Sequence, residues 1–377
     1  MTTVDDELLK YRIALASVRG MGIELAQRLL DVMPDEATFF TTDSKTLGRL
    51  LQTNSKIIDA DYRRKLLMAA GEEIKFIRDN GISATYFTDS GFPTRLLNAP
   101  DAPILLYSRG RCDLNRGKVV SIVGTRHATP YGTHFCETLI TDLAQHFKDD
   151  LAVVSGLAYG IDIAAHCAAL HEDVPTVAVL AHGLNTIYPA MHRSTANEIV
   201  RSGGALLTDY TSHDYISRAN FLARNRIVAA LADCTIVVES AEKGGAMVTA
   251  SIASSYNRDV FALPGRYTDQ YSAGCNRLIA RNVASMITSA DDLAKAMRWE
   301  YTANASMASR QRELFPELTA EEQRVFDFIK RNSENSVHIS AIYATLQIPM
   351  SQLLGLLIDL EFKGVVTPFP GNRYAAT

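Results

Sequence analysis

The sequence predicts an α/β protein, with an extended Rossmann-like parallel sheet as its core, a helical N-terminal domain and a C-terminal winged-helix domain. Three observations predict it. From Lys118 to about Arg298, short β-branched runs alternate with helical stretches; alternation sustained over that length builds a parallel sheet wrapped by helices. The runs themselves, such as Val119-Val120-Ser121-Ile122-Val123 and Thr176-Val177-Ala178-Val179-Leu180, are almost continuously apolar, as strands covered on both faces must be. The segments on either side have a helical period instead.

Residues 1–80 read as helices, because Leu8, Leu9, Ile13 and Leu15, and then Ile23, Leu25, Leu29 and Leu30, recur at helical spacing. Val18-Arg19-Gly20-Met21-Gly22-Ile23 lies between them. It reads either as a tight helix–helix connection or as a turn whose backbone N–H groups meet a DNA phosphate. A further helix over 62–80 closes this domain. Residues 81–117 lead into the core as a connector. They hold a short strand at 82–87 and then a run punctuated by Pro93, Pro100 and Pro103, which blocks helix.

Within the core domain, 81–298, further strands fall at Val153-Val154, Ala205-Leu206-Leu207-Thr208, Thr235-Ile236-Val237-Val238, Val260-Phe261-Ala262-Leu263 and Ser285-Met286-Ile287. Residues 299–316 are small and polar, a linker. The tail, 317–377, carries helices over 320–331, 339–346 and 350–363 and a hairpin over 364–374, the parts of a winged helix.

Composition narrows the function. Hydrophobic residues at 47% and charged residues at 21% exclude disordered and fibrous chains. Lys+Arg 38 against Asp+Glu 42 gives a net charge of −4, which excludes holding a polyanion by bulk charge but leaves room for a local basic groove. The five cysteines, Cys112, Cys136, Cys167, Cys234 and Cys275, form no CxxC pair, against a zinc ribbon or a disulfide scaffold. The acidic start lacks a signal-peptide layout, and no apolar stretch reaches the ~18 residues of a membrane helix. The expectation is a reducing cytoplasm, with no membrane partner, no metal and no cofactor.

In an open parallel sheet, ligands sit at the carboxyl ends of the strands. Here those ends are rich in glycine and polar residues. The first loop, Gly124-Thr125-Arg126-His127-Ala128-Thr129-Pro130, sets a cation before a helix N-terminus, which favours an anion. The others carry Ser155-Gly156-Leu157-Ala158-Tyr159-Gly160-Ile161-Asp162, His182-Gly183-Leu184-Asn185, Glu239-Ser240-Ala241-Glu242-Lys243-Gly244-Gly245 and Pro264-Gly265-Arg266. There is no GxGxxG and no acidic residue closing the second strand, so a dinucleotide is disfavoured; there is also no GxxxxGK[ST]. What remains is a phosphate or polyanion site without hydrolytic apparatus.

Two clusters admit a catalytic reading. Asp162 and His166 share a helix face, and with His182 they either run acid–base or metal chemistry, or Asp162 charges the helix start and His166 pairs with it. Glu239 and Glu242 are either a hydrolytic acid or strand-end carboxylates bonding loop amides. Arg224 and Arg226 point about 200° apart on a helix, so only one faces a groove directly; with Arg126 they can form a cationic strip for backbone phosphates.

Five segments, in order, are Ser121-Ile122-Val123-Gly124-Thr125-Arg126, the Val154–Asp162 run with His166, Gly183-Leu184-Asn185-Thr186-Ile187-Tyr188-Pro189, Arg224-Asn225-Arg226-Ile227 and Leu263-Pro264-Gly265. Together they resemble the DNA-processing protein A family (DprA, also called Smf) over residues 92–293, and the flanking domains match a three-domain member along nearly the whole chain. The resemblance implies single-stranded DNA binding, a homodimer, and loading of the RecA recombinase onto incoming DNA during natural transformation, with no enzymatic turnover. It implies that Arg126, with the amides of Gly124 and Thr125, holds phosphates. Ser155 and Gly156 would shape a second wall and Arg224, Asn225 and Arg226 a third. Gly183, Phe221, Lys243 and Gly244 complete the expected DNA-binding set, with a base stacking near Tyr188 or Phe221. The sequence departs from the family pattern at Asn185, His192, Ala190-Met191, Leu222-Ala223, Gly244 and Asn282.

The competing function is a nucleotide-processing enzyme of the phosphoribohydrolase type on a related Rossmann-like fold. Such enzymes place a Pro-Gly-Gly-x-Gly-Thr loop and a carboxylate where this chain has Lys243-Gly244-Gly245-Ala246-Met247-Val248-Thr249. In the tail, helix 350–363 has Asp359 and Glu361 against Lys363 alone, which suits protein contact better than base readout.

Overall fold

The computed structural model describes residues 3–52, 55–300, 318–332, 336–363, 365–369 and 372–376. The chain divides into two compact units, Met1–Thr302 and Ala303–Thr377.

The first unit is organised by nine strands: β1 (Ser83–Tyr86), β2 (Leu105–Gly110), β3 (Lys118–Val123), β4 (Leu151–Ser155), β5 (Thr176–Val179), β6 (Ala205–Thr208), β7 (Cys234–Val237), β8 (Asp259–Ala262) and β9 (Ser285–Met286). Their order across the sheet is β1-β2-β6-β5-β4-β3-β7-β8-β9. From β6 to β9 all neighbours are parallel; β2 joins β6 and β1 joins β2 antiparallel. The apolar runs are central strands buried on both faces, with Val120, Ile122, Val153, Val177 and Ile236 all at 0% exposure.

The chain lays down β3, β4, β5 and β6 in one direction and then returns to place β7 beside β3. That reversal is the switch point at which open α/β sheets take ligands. One strand departs from the sequence reading. Residues 105–110, assigned to the connector, form β2, because Pro103 is the last proline of the run and the buried Leu105, Leu106 and Tyr107 after it pair freely with β6.

Helices cover both faces. Pro130–Phe147 and Ile161–His171 pack Leu139, Leu143 and Ala165 against Ile122, Val153 and Ile236. Arg218–Leu231 covers the other face with Ile227, Val228 and Leu231. The N-terminal helices Thr3–Ala16 and Ala60–Asp79 join that same core through Ile13, Leu15, Ala70 and Ile74. The turn between the first two helices has Gly20 at φ +81°, and Gly22 is the N-cap of Ile23–Val32.

The second unit has helices Ala320–Arg331, Ile339–Leu346 and Met350–Phe362 and strands β10 (Val337–His338), β11 (Val366–Phe369) and β12 (Arg373–Ala376), ordered β10-β12-β11. It is a winged helix around Val325, Ile329, Ile342, Leu353 and Leu360. Its first helix begins with a capping box between Thr319 and Glu322, and Lys363 closes on Glu322 at 2.7 Å. β10 is an addition to the sequence reading, too short to leave a pattern. The linker expected over 299–316 falls largely outside the described residues, as does the hairpin tip at 370–371. Among the described residues no single helix is long and apolar enough to cross a membrane.

Candidate functional site

The loops at the carboxyl ends of β3, β4 and β7 interlock through glycine. A Cβ at Gly124 would stand 2.4 Å from Ile161 Cγ1 and 2.9 Å from Glu239 O. One at Gly160, held at φ +76°, would stand 2.2 Å from Thr125 O. Only glycine permits this approach. The Thr125 N–H donates to Glu239 O at 2.6 Å and Thr125 O accepts from Ile161 N at 3.1 Å, so the Thr125 amide, expected on a phosphate, is engaged within the loops.

Glu239 is the clamp of the first loop. Its buried carboxylate accepts from Thr129 N at 2.9 Å and from Thr129 Oγ1 at 2.6 Å. Of the two readings the sequence left open, this is the loop-anchoring one. A carboxylate doubly bonded at a helix N-terminus is held inward, with its oxygens turned to the loop. Glu242 is exposed and faces Arg277 at 3.4 Å.

Arg224 is buried beneath the rim. Its Nη1 donates to Gly156 O at 2.7 Å and also to Val179 O, and a Cβ at Gly156 would meet the guanidinium at 2.4 Å. Burial lowers the Arg224 pKa while the Asp162 charge opposes it. Burial likewise pushes the Asp162 carboxyl up, against the pull of Arg224 and of loop donors such as Ala158 N at 3.3 Å.

His166 does not pair with Asp162. Its Nδ1 lies 2.7 Å from Thr176 Oγ1, and that hydroxyl donates to Val153 O at 3.0 Å. The network therefore assigns the proton to Nδ1. Burial, then the charges of Arg224 and His192, push His166 down to about 3. His182 is lowered by burial too, with Nδ1 on Gly183 O at 2.9 Å and Nε2 accepting from Tyr188 N at 3.3 Å. Among the described residues no group of three or more His, Cys, Asp or Glu side chains could hold a metal ion. Asp162, His166 and His182 are thus framework, each engaged below the surface.

The remaining predicted residues separate into support and surface. Ser155 is buried and donates to Ile122 O at 2.6 Å. Gly183 lets the β5 loop press on the β6 loop, where a Cβ would stand 2.3 Å from Thr211 O. Arg226 pairs with Asp209 and donates to Asp101 O. Asn225 Nδ2 donates to Gly245 O at 3.4 Å. Lys243 and Gly244 are exposed, with Gly244 at the N-cap of Gly245–Ser255 and no side-chain cap there.

Of the three arginines, Arg126 alone is exposed. Its guanidinium stands 5.7 Å from the Phe221 ring centre, and Phe221 meets Tyr188 at 5.6 Å. Tyr188 is 46% exposed, so the two rings between which the sequence could not choose form one surface. Tyr159, in the neighbouring loop after β4 and 40% exposed, packs edge-on to His192. Sequence reasoning did not assign roles to Tyr131, in the first turn of Pro130–Phe147, or to Tyr159, in the loop after β4, whose signal was an aromatic at a strand end. A cation seated on one ring of an edge-on aromatic pair at the surface suits phosphates and base faces together.

A mostly parallel Rossmann-like sheet with a cation–aromatic rim, followed in the same chain by a winged helix, defines the class of protein. The chain belongs to the DNA recombination-mediator protein A family, whose model matches residues 83–298, while the DprA winged helix domain model matches residues 311–372. It is 37% identical over 308 residues to the putative DNA processing protein DprA of Mycobacterium tuberculosis, covering 81% of this chain and 77% of that one. It is 36% identical over 205 residues to the DNA processing protein DprA of Streptococcus pneumoniae, covering 54% and 71%. The X-ray structure of DNA processing protein A from S. pneumoniae superposes with a TM-score of 0.62 at 28% identity, over 78% of this chain and 98% of that one. A structure of DNA processing protein A from Helicobacter pylori, described for its single-stranded DNA binding mode, superposes with a TM-score of 0.51 at 30% identity, over 58% and 97%.

Proposed function

We propose that the carboxyl-terminal rim of the sheet binds single-stranded DNA and that the protein, as a cytoplasmic homodimer, loads the RecA recombinase onto incoming DNA in natural transformation, without turnover. The observation that carries the binding is the exposed Arg126–Phe221–Tyr188 surface, set above carboxylates already engaged by the fold, Glu239 on Thr129 and Asp162 beside Arg224. Membership of the recombination-mediator family supports the reading, as does the single-stranded DNA binding of the Helicobacter relative. In this reading Arg126, Phe221, Tyr188, Lys243 and Gly244 meet the strand. Arg224, Arg226, Ser155, Gly156 and Gly183 hold the loops that present them.

Fluorescence anisotropy on single-stranded and duplex oligonucleotides of one sequence, with wild type and Arg126→Ala, tests the binding. Preference for the single strand, weakened in the variant, is expected; equal affinity for both forms would overturn it. Filament assembly by purified RecA on strands coated with single-strand-binding protein, with and without this protein, tests the loading.

A further inference from the structure

Two aromatic side chains stand out from the surface on either side of the Arg126–Phe221–Tyr188 centre. Tyr215, in the loop after β6, and Tyr267, in the loop after β8, are each 91% exposed. The fold gains nothing from burying either ring, yet both are displayed from anchored backbone. Asn220 Nδ2 donates to Tyr215 O at 2.9 Å, fixing it one residue's reach from Phe221, and the turn before it is closed by Thr211 N donating to Asp214 Oδ2 at 2.7 Å. On the other side, Asp269 N donates to Arg266 O at 3.0 Å, closing the turn that carries Tyr267. That loop is tied to the centre by Tyr131 Oη on Pro264 O at 2.7 Å, by Ser240 N on Tyr271 O at 2.6 Å, and by the stacked His127 and Tyr271 rings.

The topology puts these loops in one line. β6, β5, β4, β3, β7 and β8 are consecutive neighbours and mutually parallel, so their carboxyl ends share one edge of the sheet. Across that edge come Tyr215, then Tyr188 with Phe221, Tyr159, Arg126, Lys243 and Tyr267. Five inter-strand steps span about 24 Å, the length of about seven nucleotides at a stacked rise of 3.4 Å. Each terminal ring has an exposed arginine close in sequence, Arg218 for Tyr215 and Arg266 for Tyr267, which pairs a base face with a phosphate partner at both ends.

We propose that Tyr215 and Tyr267 are the end platforms of a single polynucleotide track crossing the carboxyl edge from the β6 loop to the β8 loop. The proposal rests on the single-stranded DNA reading above and adds its length, its direction across the strands and its terminal contacts. Base–ring stacking is indifferent to sequence because every base has a π-face, so the track fixes a length rather than a motif.

The test is anisotropy with labelled oligothymidylates of about three and about twelve nucleotides, on the full chain, for wild type, Tyr215→Ala, Tyr267→Ala and the corresponding Tyr→Phe variants. Both positions are at the surface, so the alanine variants fold. Each alanine variant is expected to lose at least about fivefold in affinity for the long strand while binding the trinucleotide like wild type, and phenylalanine is expected to restore the long-strand affinity. Long-strand affinity unchanged in both alanine variants overturns the track, as does an equal loss at both lengths. If the rings serve a protein partner instead, that first outcome is the one observed. If wild type binds neither strand, the single-stranded DNA reading itself fails, a result separable from failure of the end platforms alone.

Discussion

Arg224 Nη1 donates to the carbonyl of Gly156 across 2.7 Å, joining the helix Arg218–Leu231 to the loop after β4 from below. The same guanidinium reaches the end of β5 through Val179 O and lies beside the buried Asp162. One side chain thus ties the ends of two strands together beside a buried carboxyl.

Arg224→Ala is expected to destabilise the fold by about 1–3 kcal/mol, since it takes the side-chain donor from the buried Gly156 carbonyl. Arg224→Lys keeps the charge but not the planar fork that spans two carbonyls, and falls between the two. Urea unfolding with tryptophan or far-UV readout measures this. A midpoint unmoved in Arg224→Ala would show that the buried pairing contributes nothing.

The positive-φ glycines give a paired comparison. Gly160 and Gly203 both sit at φ near +80°, but a Cβ at Gly160 would collide with Thr125 O at 2.2 Å, while Gly203 has nothing within 4 Å. Gly203→Ala therefore carries only the left-handed backbone cost, about 1–2 kcal/mol. Gly160→Ala must also part the β3 and β4 loops and is expected to lose more stability and to weaken strand binding. Equal urea midpoints for the two variants would contradict the interlocking of those loops.

Much of the fold was legible because the parallel strands are buried on both faces, which leaves apolar runs such as 119–123 and 205–208 that survive without context. β2 was hidden because Pro100 and Pro103 dominate its approach, and its place is fixed by pairing with β1 and β6. The candidate site was legible at the level of loops and not of roles. Two arginines two residues apart must point in different directions, but the sequence could not show that both are engaged, Arg224 by carbonyls and Arg226 by Asp209. Likewise the Asp162–His166 spacing implies a shared face, while the actual partner of His166, Thr176, comes from the next strand.

His166 makes stability depend on pH in a defined direction. Its folded pKa of about 3 lies below the ordinary 6.5, so between those values the unfolded chain binds a proton that the folded chain refuses. Its neutral state is fully compatible with folding above about pH 6.5, and stability falls as pH drops below that, by up to about 1.4 kcal/mol per pH unit. His182, lowered for the same reason, adds in the same sense. In His166→Leu this part of the slope is removed. Thermal unfolding of wild type and variant between about pH 4 and 7 should show a shallower loss in the variant on the acid side; parallel curves would mean that His166 titrates normally.

Arg126 and Phe221 touch one another but should fail differently. If Arg126 neutralises one phosphate, Arg126→Ala lowers single-stranded DNA affinity and reduces the slope of log K against log salt by about 0.7, the counterion release of one single-strand contact. Phe221→Ala removes a stacking face and the seat of the guanidinium; it is expected to lower affinity by about 1–3 kcal/mol with a smaller change of slope, because the cation remains. The double variant should lose less than the two single losses combined, since removing either ring or cation already breaks their mutual contact. Salt titrations of anisotropy on all four proteins decide it. Identical slopes for wild type and Arg126→Ala would place the arginine off the phosphate path, and the phosphates would then have to be met by the other exposed cations of the rim, Lys243, Arg218 and Arg266.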